Sequence, residues 1–420
     1  MIVPKPHTHG ADVAIVGSGI VGLACAYHLT RRGLSCLMID AKGPGGETSY
    51  GNAGSISVGN VMPQSTPGIA WKALRMLSDA QAPLKLDLRH LPSYAGWLRD
   101  FIRCGRRDRI LGIIDALHSI NTAARQSWLA LARDIDAEDL IALTGYLHVF
   151  SHARSFEAGA WERELMRARQ VNFDVLDRTG VCELEPGIGA GFEHGVFQRD
   201  ALALCDPGAF CQHLHEVLLC RGARSLTARV ESLKTDAQGV SLRTDQGRVQ
   251  AGRVVLAAGA WTNALLHPMG IRLPIVPARG YHLMYPTQAG VVQRPTLWAE
   301  RYMVMSPLRT GIRMTSIKEL TALGSRPNFS WIRRRDADAR RLFPALPSPS
   351  VAEWAGYRPC TPDSLPILDR LDEHLWIAAG HGHLGITQAP ISGRLIDQMM
   401  AQEPTDIPVE PYRWQRFSGA

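Results

Sequence analysis

DVAIVGSGIVGLACAYHLTRRGLSCLMID, residues 12–40, is the stretch that decides the fold. Residues 12–16 form a short apolar run that ends at a glycine cluster. IVGLACAYHLTRRG then spaces its apolar residues at the helical period and stops at Gly33, and LSCLMID is a second apolar run ending in Asp40. Strand, glycine turn, helix and strand within about 30 residues open a parallel, doubly wound sheet. Gly17-Ser18-Gly19-Ile20-Val21-Gly22 reads G-x-G-x-x-G at the strand–helix junction. Gly17 permits the tight turn, Gly19 lets a pyrophosphate approach the backbone, and Gly22 lets helix and strand pack closely. The helix N-terminus offers free N–H groups and a partial positive charge to the phosphates. Asp40 lies 18 residues beyond Gly22, where a carboxylate accepts from ribose hydroxyls and disfavours a 2′-phosphate. By itself a glycine motif is only a turn. Here strand, helix and acidic terminus are all in place, so a dinucleotide site is expected.

Outside this stretch, composition sets broad limits. The 420 residues suffice for two or three domains' worth of core. Hydrophobic content of 45% and charged content of 20% describe a globular chain. The net charge of +7 is diffuse, with no basic run or zinc-finger pattern, which argues against a nucleic-acid partner. Eight scattered cysteines form no Cys-x-x-Cys pair, so reduced thiols are expected instead of a metal cage or disulfide framework. The residues MIVPKPHTHGAD carry no apolar signal core, and no run approaches the ~20 apolar residues of a membrane span. The expected location is cytoplasmic.

Further along, residues 43–68 are rich in Gly, Ser, Asn and Pro and read as an ordered loop, and 69–133 carry a helical pattern. RVVLAAGAW (253–261) and HLWIAAGHGHLGI (374–386) each repeat the strand-then-glycine theme. The fingerprint leaves FAD and NAD open, but these two segments favour FAD. Ala257, Ala258, Gly259, Ala260 and Trp261 supply small residues at a strand end. Gly380 to Ile386 open a helix whose N–H groups suit a flavin carbonyl. Taken singly, each is as readily a tight turn. The expected fold class is α/β: a Rossmann-like FAD-binding domain (11–80, 175–268 and 352–402) interleaved with a smaller α+β substrate domain on a mainly antiparallel sheet (81–174 and 269–351).

With TSYGNAGSIS (48–57), LPIVPARGYHL (273–283), WAGYRPCTPDSLPIL (354–368) and AAGHGHLGITQAPISGRLI (378–396) added, nearly the whole chain resembles the D-amino acid oxidase-like flavoproteins. The bacterial D-amino acid and D-hydroxyproline dehydrogenases are most similar. The resemblance implies FAD stretched across the glycine turn, contacted by Gly17, Ser18, Gly19, Ile20, Gly22, Asp40, Ala41 and Lys42. It also implies a wrap by Ser49, Asn52, Ala53 and Gly54, a backbone contact to adenine from Val230, and further contacts from Ala258, Gly259 and Trp261. Gly382, His383, Leu384, Gly385, Ile386 and Thr387 complete the set. Gly356 stands where some members attach FAD through cysteine, and Cys360 is four residues away, so non-covalent FAD is expected. Arg358 resembles the arginine that grips a substrate carboxylate, and Tyr302 a tyrosine adding a second hydrogen bond. Tyr281 is either pocket wall or a half-buried sheet aromatic, the second being commoner. His383 stands where the nearest amino acid dehydrogenases often carry Thr and is expected to line the pocket; no histidine has metal-site spacing.

The implied reaction is oxidation of a small D-amino acid, with a cyclic D-amino acid, glycine or sarcosine as same-class alternatives. A non-catalytic FAD-binding subunit is the different-class alternative. A respiratory-chain quinone acceptor is a further implication. So is a peripheral membrane contact by residues 63–109, where Ile69, Trp71, Leu74, Met76, Leu77, Leu91, Tyr94, Trp97, Leu98, Phe101 and Ile102 adjoin a basic face. The competing expectation is that this stripe packs on the substrate domain.

Overall fold

The computed structural model describes residues 10–71, 73 and 82–417. The opening stretch folds as read. Strand β1 (Ala11–Val16) is buried over its second half, helix α1 (Ile20–Arg31) starts after Gly19, and β2 (Cys36–Asp40) runs parallel to β1. On its other side β1 pairs in parallel with β3 (Gly247–Leu256), Val16 opposite Leu256. Leu375–Ala379 runs parallel to the end of β3, and Arg224–Thr227 runs parallel to β2. Among the described residues this sheet has eight strands. The C-terminal ends of the parallel strands, at Gly17, Asp40, Ala257 and Gly380, therefore gather along one edge, where ligands of open α/β sheets bind.

One face of this sheet is covered by α1 and by α4 (Gly385–Met400). A Cβ on Gly393 would run into the Ala24 carbonyl, so these helices cross backbone to backbone. The long helix α3 (Arg107–Asp134) joins the same core through Leu117, Ile120, Ala124 and Trp128, which cluster with Leu23 and Tyr27.

The second sheet has nine strands among the described residues. Its inner edge is β6 (Ala352–Cys360), followed by β4 (Val276–Tyr285) and β5 (Gly311–Leu320), all antiparallel. Met303–Leu308, Thr296–Trp298, Tyr146–Phe150, His194–Gln198 and Phe173–Leu176 continue it, with a parallel pairing only at Thr296–Trp298 and, beside β5, at Leu84–Leu86. A Rossmann-like domain interleaved with a mainly antiparallel α+β portion is thus the architecture observed.

The expected domain boundaries need three corrections. The expected boundaries place His194–Gln198 and β6 in the nucleotide portion, but both pair within the second sheet. They place helix α3 in the substrate portion, yet its apolar stripe fills the nucleotide core. Pairing and packing partners are non-local choices, and periodicity along one segment does not encode them. The apolar stripe of helix α2 (Leu91–Cys104) does pack on the substrate sheet. Tyr94, Trp97, Leu98 and Phe101 cluster with Val276, Ala278 and Leu320, and Trp97 Nε1–H donates to the Cys360 carbonyl at 2.9 Å. Lys72, Leu74, Arg75, Met76 and Leu77 lie outside the described residues.

Candidate functional site: a nucleotide cradle beside an unpaired arginine

Gly17 has φ +103°, and a Cβ there would stand 2.5 Å from the Ala257 carbonyl oxygen, because parallel neighbours β1 and β3 end side by side. A Cβ on Gly22 would overlap the Gly17 carbonyl oxygen. Asp40 closes the turn: its two carboxylate oxygens accept from the Ser18 and Lys42 backbone N–H groups, each at 2.8 Å. Each oxygen keeps lone-pair capacity for a ribose hydroxyl. Ala41 lies between, and the Lys42 ammonium pairs with Glu47. Ala228 N–H donates to the Asp40 carbonyl at 3.0 Å, which brings the start of the Val230–Asp236 strand beside this end of the sheet.

The wrapping loop is tied to the cradle. Ser49 Oγ accepts from Ile20 N–H at 3.0 Å, at the N-terminus of α1. Asn52 donates to the Ser49 carbonyl and accepts from Gly54 N–H at 2.6 Å, enclosing Ala53 in a turn that Gly54 completes at φ +71°. The buried Arg313 guanidinium donates to the Tyr50 and Asn52 carbonyls and pins the loop to β5. After β3, Ala258 and Gly259 carry the chain to Trp261, whose ring meets Tyr357 edge-on at 6.1 Å. Gly382 N–H donates to the Pro359 carbonyl at 2.7 Å, which fastens the segment before α4 to β6. Leu384 precedes α4; Gly385, Ile386 and Thr387 form its first turn, which has no acidic residue. Thr387 Oγ1 accepts from Ser57 N–H at 3.0 Å.

Register then places the substrate-side groups. Arg358 stands opposite Ala278, and Gly280 stands opposite both Gly356 and Lys318. Directly paired residues share a face, so Arg358, Gly280 and Lys318 lie together. A Cβ on Gly280 would overlap the Arg358 guanidinium carbon and both terminal nitrogens, so the guanidinium lies flat on the bare strand. The half-buried Arg358 makes no ion pair or side-chain hydrogen bond with any described residue, and desolvation pushes its pKa down. Its neighbour Trp354 fills the space over Gly51 and Gly356 and stacks on His282 at 5.1 Å.

His383 joins this face. Gln64 Nε2 donates to His383 Nδ1 at 2.9 Å, and Gln64 Oε1 accepts from the Lys318 ammonium. Although its ring is exposed, desolvation in the pocket, with Lys318 and Arg358 nearby, holds the imidazole down at about 3, so His383 is neutral; Asn60 Nδ2 lies 3.4 Å from its Nε2. Tyr302 is 47% exposed, with φ +46°, and its carbonyl accepts from Ser316 Oγ on β5 at 3.3 Å. Tyr281 is corrected. It points to the opposite face, where its hydroxyl donates to Glu319 Oε2 at 2.6 Å and its ring packs on Phe329 and Trp331. Arg279 on that face bonds Glu319 and Tyr357 and is fully paired. The alternation of β4 separates Tyr281 from Arg358, as the commoner reading of a sheet aromatic anticipates.

From residue 12 to residue 399 the sequence matches the family model described as FAD dependent oxidoreductase. The chain belongs to that family. It is similar to a D-amino-acid oxidase of Bradyrhizobium diazoefficiens, 30% identical across 97% of this chain and 99% of the relative. A D-amino acid dehydrogenase of Rhodopseudomonas palustris is 32% identical across 93% and 95%. Among solved structures, glycine oxidase from Geobacillus kaustophilus superposes with a TM-score of 0.78 at 20% identity, covering 97% of this chain and 99% of that one.

The residues of this FAD-dependent oxidoreductase fit the cofactor. The glycine cradle has no room for side chains at Gly17 and Gly22, and the first-turn N–H groups of α1 beyond Ile20 and those of α4 suit a pyrophosphate and an electron-rich carbonyl. Among the described residues, no group of three His, Cys, Asp or Glu is placed to hold a metal. Sequence reading missed Gly280, Gln64, Lys318 and Trp354. Gly280 had a signal, since an in-strand glycine marks a close approach. Lys318, in SIKEL, had none.

Proposed function

We propose that this oxidoreductase dehydrogenates a small D-amino acid at its α-carbon, with FAD held non-covalently by the residues of the cradle. Arg358 is the observation that carries the reading: a half-buried guanidinium resting on Gly280, with no ion pair or side-chain hydrogen bond among the described residues. Taking a charge partly out of water with no partner is costly. An anion over the guanidinium offsets that cost, and the planar fork fits a carboxylate. The names of the relatives supply the amino acid and its D configuration.

In this reading Arg358 holds the substrate carboxylate, and Tyr302 adds a hydrogen bond to it. His383, held neutral, lines the pocket without repelling a neutral amine. Bound FAD supplies a two-electron acceptor. The α C–H bond breaks with its electron pair leaving as hydride, an N–H proton passes to water, and a C=N bond forms. Water then adds to the imine and ammonia leaves, giving the keto acid; a cyclic substrate leaves as its cyclic imine. The protein's task is to hold the α-hydrogen in attack geometry. Gly356, overlaid by Trp354, offers no nucleophile to the flavin, which supports non-covalent binding.

A second reading adds a respiratory quinone acceptor and a peripheral membrane contact. Trp71 is 74% and Leu88 68% exposed, with Arg89, Arg99 and Arg103 nearby in sequence. Against it, Tyr94, Trp97, Leu98 and Phe101 are occupied in packing. Among the described residues no helix is long and apolar enough to cross a membrane.

The test is anaerobic bleaching of the purified yellow holoenzyme by D- and L-amino acids, D-proline and its hydroxylated forms, glycine and sarcosine. D-amino acids should bleach the flavin and their L-enantiomers should not. A flavin that no amine bleaches would mark the chain as an FAD-binding subunit.

A further inference from the structure

The strand β5 contains a residue that sequence propensity does not account for. Ile317 is buried with φ +61°, a left-handed conformation that β-branched residues rarely adopt. It is the extra residue of a β-bulge: Tyr281 stands opposite Ser316, but Gly280 stands opposite Lys318. Bulges re-aim side chains, and backbone strain of this kind collects at functional sites.

The register shows what the bulge changes. Without it, counting on from the Tyr281–Ser316 pair would set Ile317 opposite Gly280, Lys318 opposite Arg279 and Glu319 opposite Ala278. A one-residue slip moves every side chain to the other face. Glu319 would then share a face with Arg358, and Lys318 would lie with Arg279. The bulge exchanges them. Glu319 goes to the far face, where it takes up Arg279 at 3.0 Å, and Lys318 comes to the face of Arg358. The strand thus withholds a carboxylate from Arg358 and puts a second cation beside it.

Lys318 makes no ion pair with any described residue; its ammonium donates to Gln64 Oε1. Burial pushes both cations down in pKa, and Arg358 pushes Lys318 down further, effects that an anion between them opposes. Neighbouring strands are about 5 Å apart. A guanidinium over Gly280 and an ammonium from the next strand therefore stand over one small patch. A monocarboxylate compensates one of these charges and leaves the other.

We propose that Lys318 binds a second carboxylate, and that the substrate is a dicarboxylic D-amino acid such as D-aspartate or D-glutamate, with Arg358 holding the α-carboxylate. This rests on the D-amino acid reading above and specifies the substrate class.

Succinate and propionate differ by one carboxylate, and their binding to the holoenzyme is read from the flavin spectrum. Succinate should bind about 10–100-fold more tightly, the worth of one charge-assisted contact. In Lys318→Met that preference should collapse to near one, and Lys318→Arg should restore part of it. In anaerobic reduction, D-aspartate or D-glutamate should exceed D-alanine by a similar factor, mainly through KM. A general structural role for Lys318 would weaken both ligands equally. Equal binding of succinate and propionate by the unmodified enzyme overturns the proposal, as does a preference that survives in Lys318→Met. If Lys318→Met retains no FAD, the ratio in the unmodified enzyme decides. Reduction by neutral D-amino acids and not by acidic ones overturns this inference alone. Reduction by no D-amino acid overturns the parent reading as well.

Discussion

Replacing Gly280 with alanine puts a methyl group where the Arg358 guanidinium lies. The three atoms nearest the new Cβ are the guanidinium carbon and its two terminal nitrogens, the far end of a flexible side chain. Gly280 is not at positive φ, so alanine fits the backbone and the fork should move while the sheet stays. A bidentate carboxylate pair depends on its plane, and displacement should break at least one of two charge-assisted hydrogen bonds, about 1.5–3 kcal/mol. At 1.4 kcal/mol per decade that is about 10–150-fold in affinity. The assay is spectral titration of the flavin with a carboxylate ligand, with FAD content and melting temperature as controls. Arg358→Lys should lose affinity to a comparable degree, since it keeps the charge but not the fork. Gly280→Ala with normal FAD content and unchanged carboxylate affinity would refute the assignment of Arg358 as anchor.

Asp40→Ala should weaken FAD binding by about 1–3 kcal/mol, since the variant loses a ribose acceptor and leaves the Ser18 and Lys42 N–H groups unmet. Reconstitution of apoprotein with FAD measures this; unchanged affinity would mean that the carboxylate serves the turn alone. Burial holds His28 and His148 near 4 and His282 and His381 near 3, against 6.5 when unfolded. The unfolded chain binds more protons between these values, so stability should be full above about pH 6.5 and fall as pH drops below it. Denaturant midpoints across that window check the sign, and a midpoint that rises on acidification would contradict it. Co-sedimentation with anionic liposomes at low and high salt, with peroxide measured during turnover, tests the membrane reading. Salt-sensitive binding with little peroxide supports it; no binding with stoichiometric peroxide excludes it.

The nucleotide half was largely legible because its signals are local. Strand, Gly17–Gly22 turn, α1 and the Asp40 terminus follow one another within reach of hydrophobic periodicity and glycine chemistry, and the structure places each where the spacing predicts. Arg358 and His383 could be named from their motif settings, but nothing in those motifs says what surrounds them. That Arg358 is unpaired depends on which strand lies beside β6, on a bare glycine paired directly with Lys318, and on Glu319 facing away. Tyr281 illustrates the limit from the other side: RGYHL gives an aromatic in a strand, and only the register tells which face it takes.

The amino-acid sequence by itself determined the dinucleotide fold, because turns, caps and periodicity act over a few residues; its cofactor class and the carboxylate-gripping candidate came through the resemblance of its motifs to a known family. The tertiary structure alone decided the charge of the pocket. A single bulged residue, Ile317, sets the parity of β5, and parity in a sheet is fixed by pairing with a distant strand, so whether Arg358 faces a glutamate or a lysine is written in the register and nowhere along the chain.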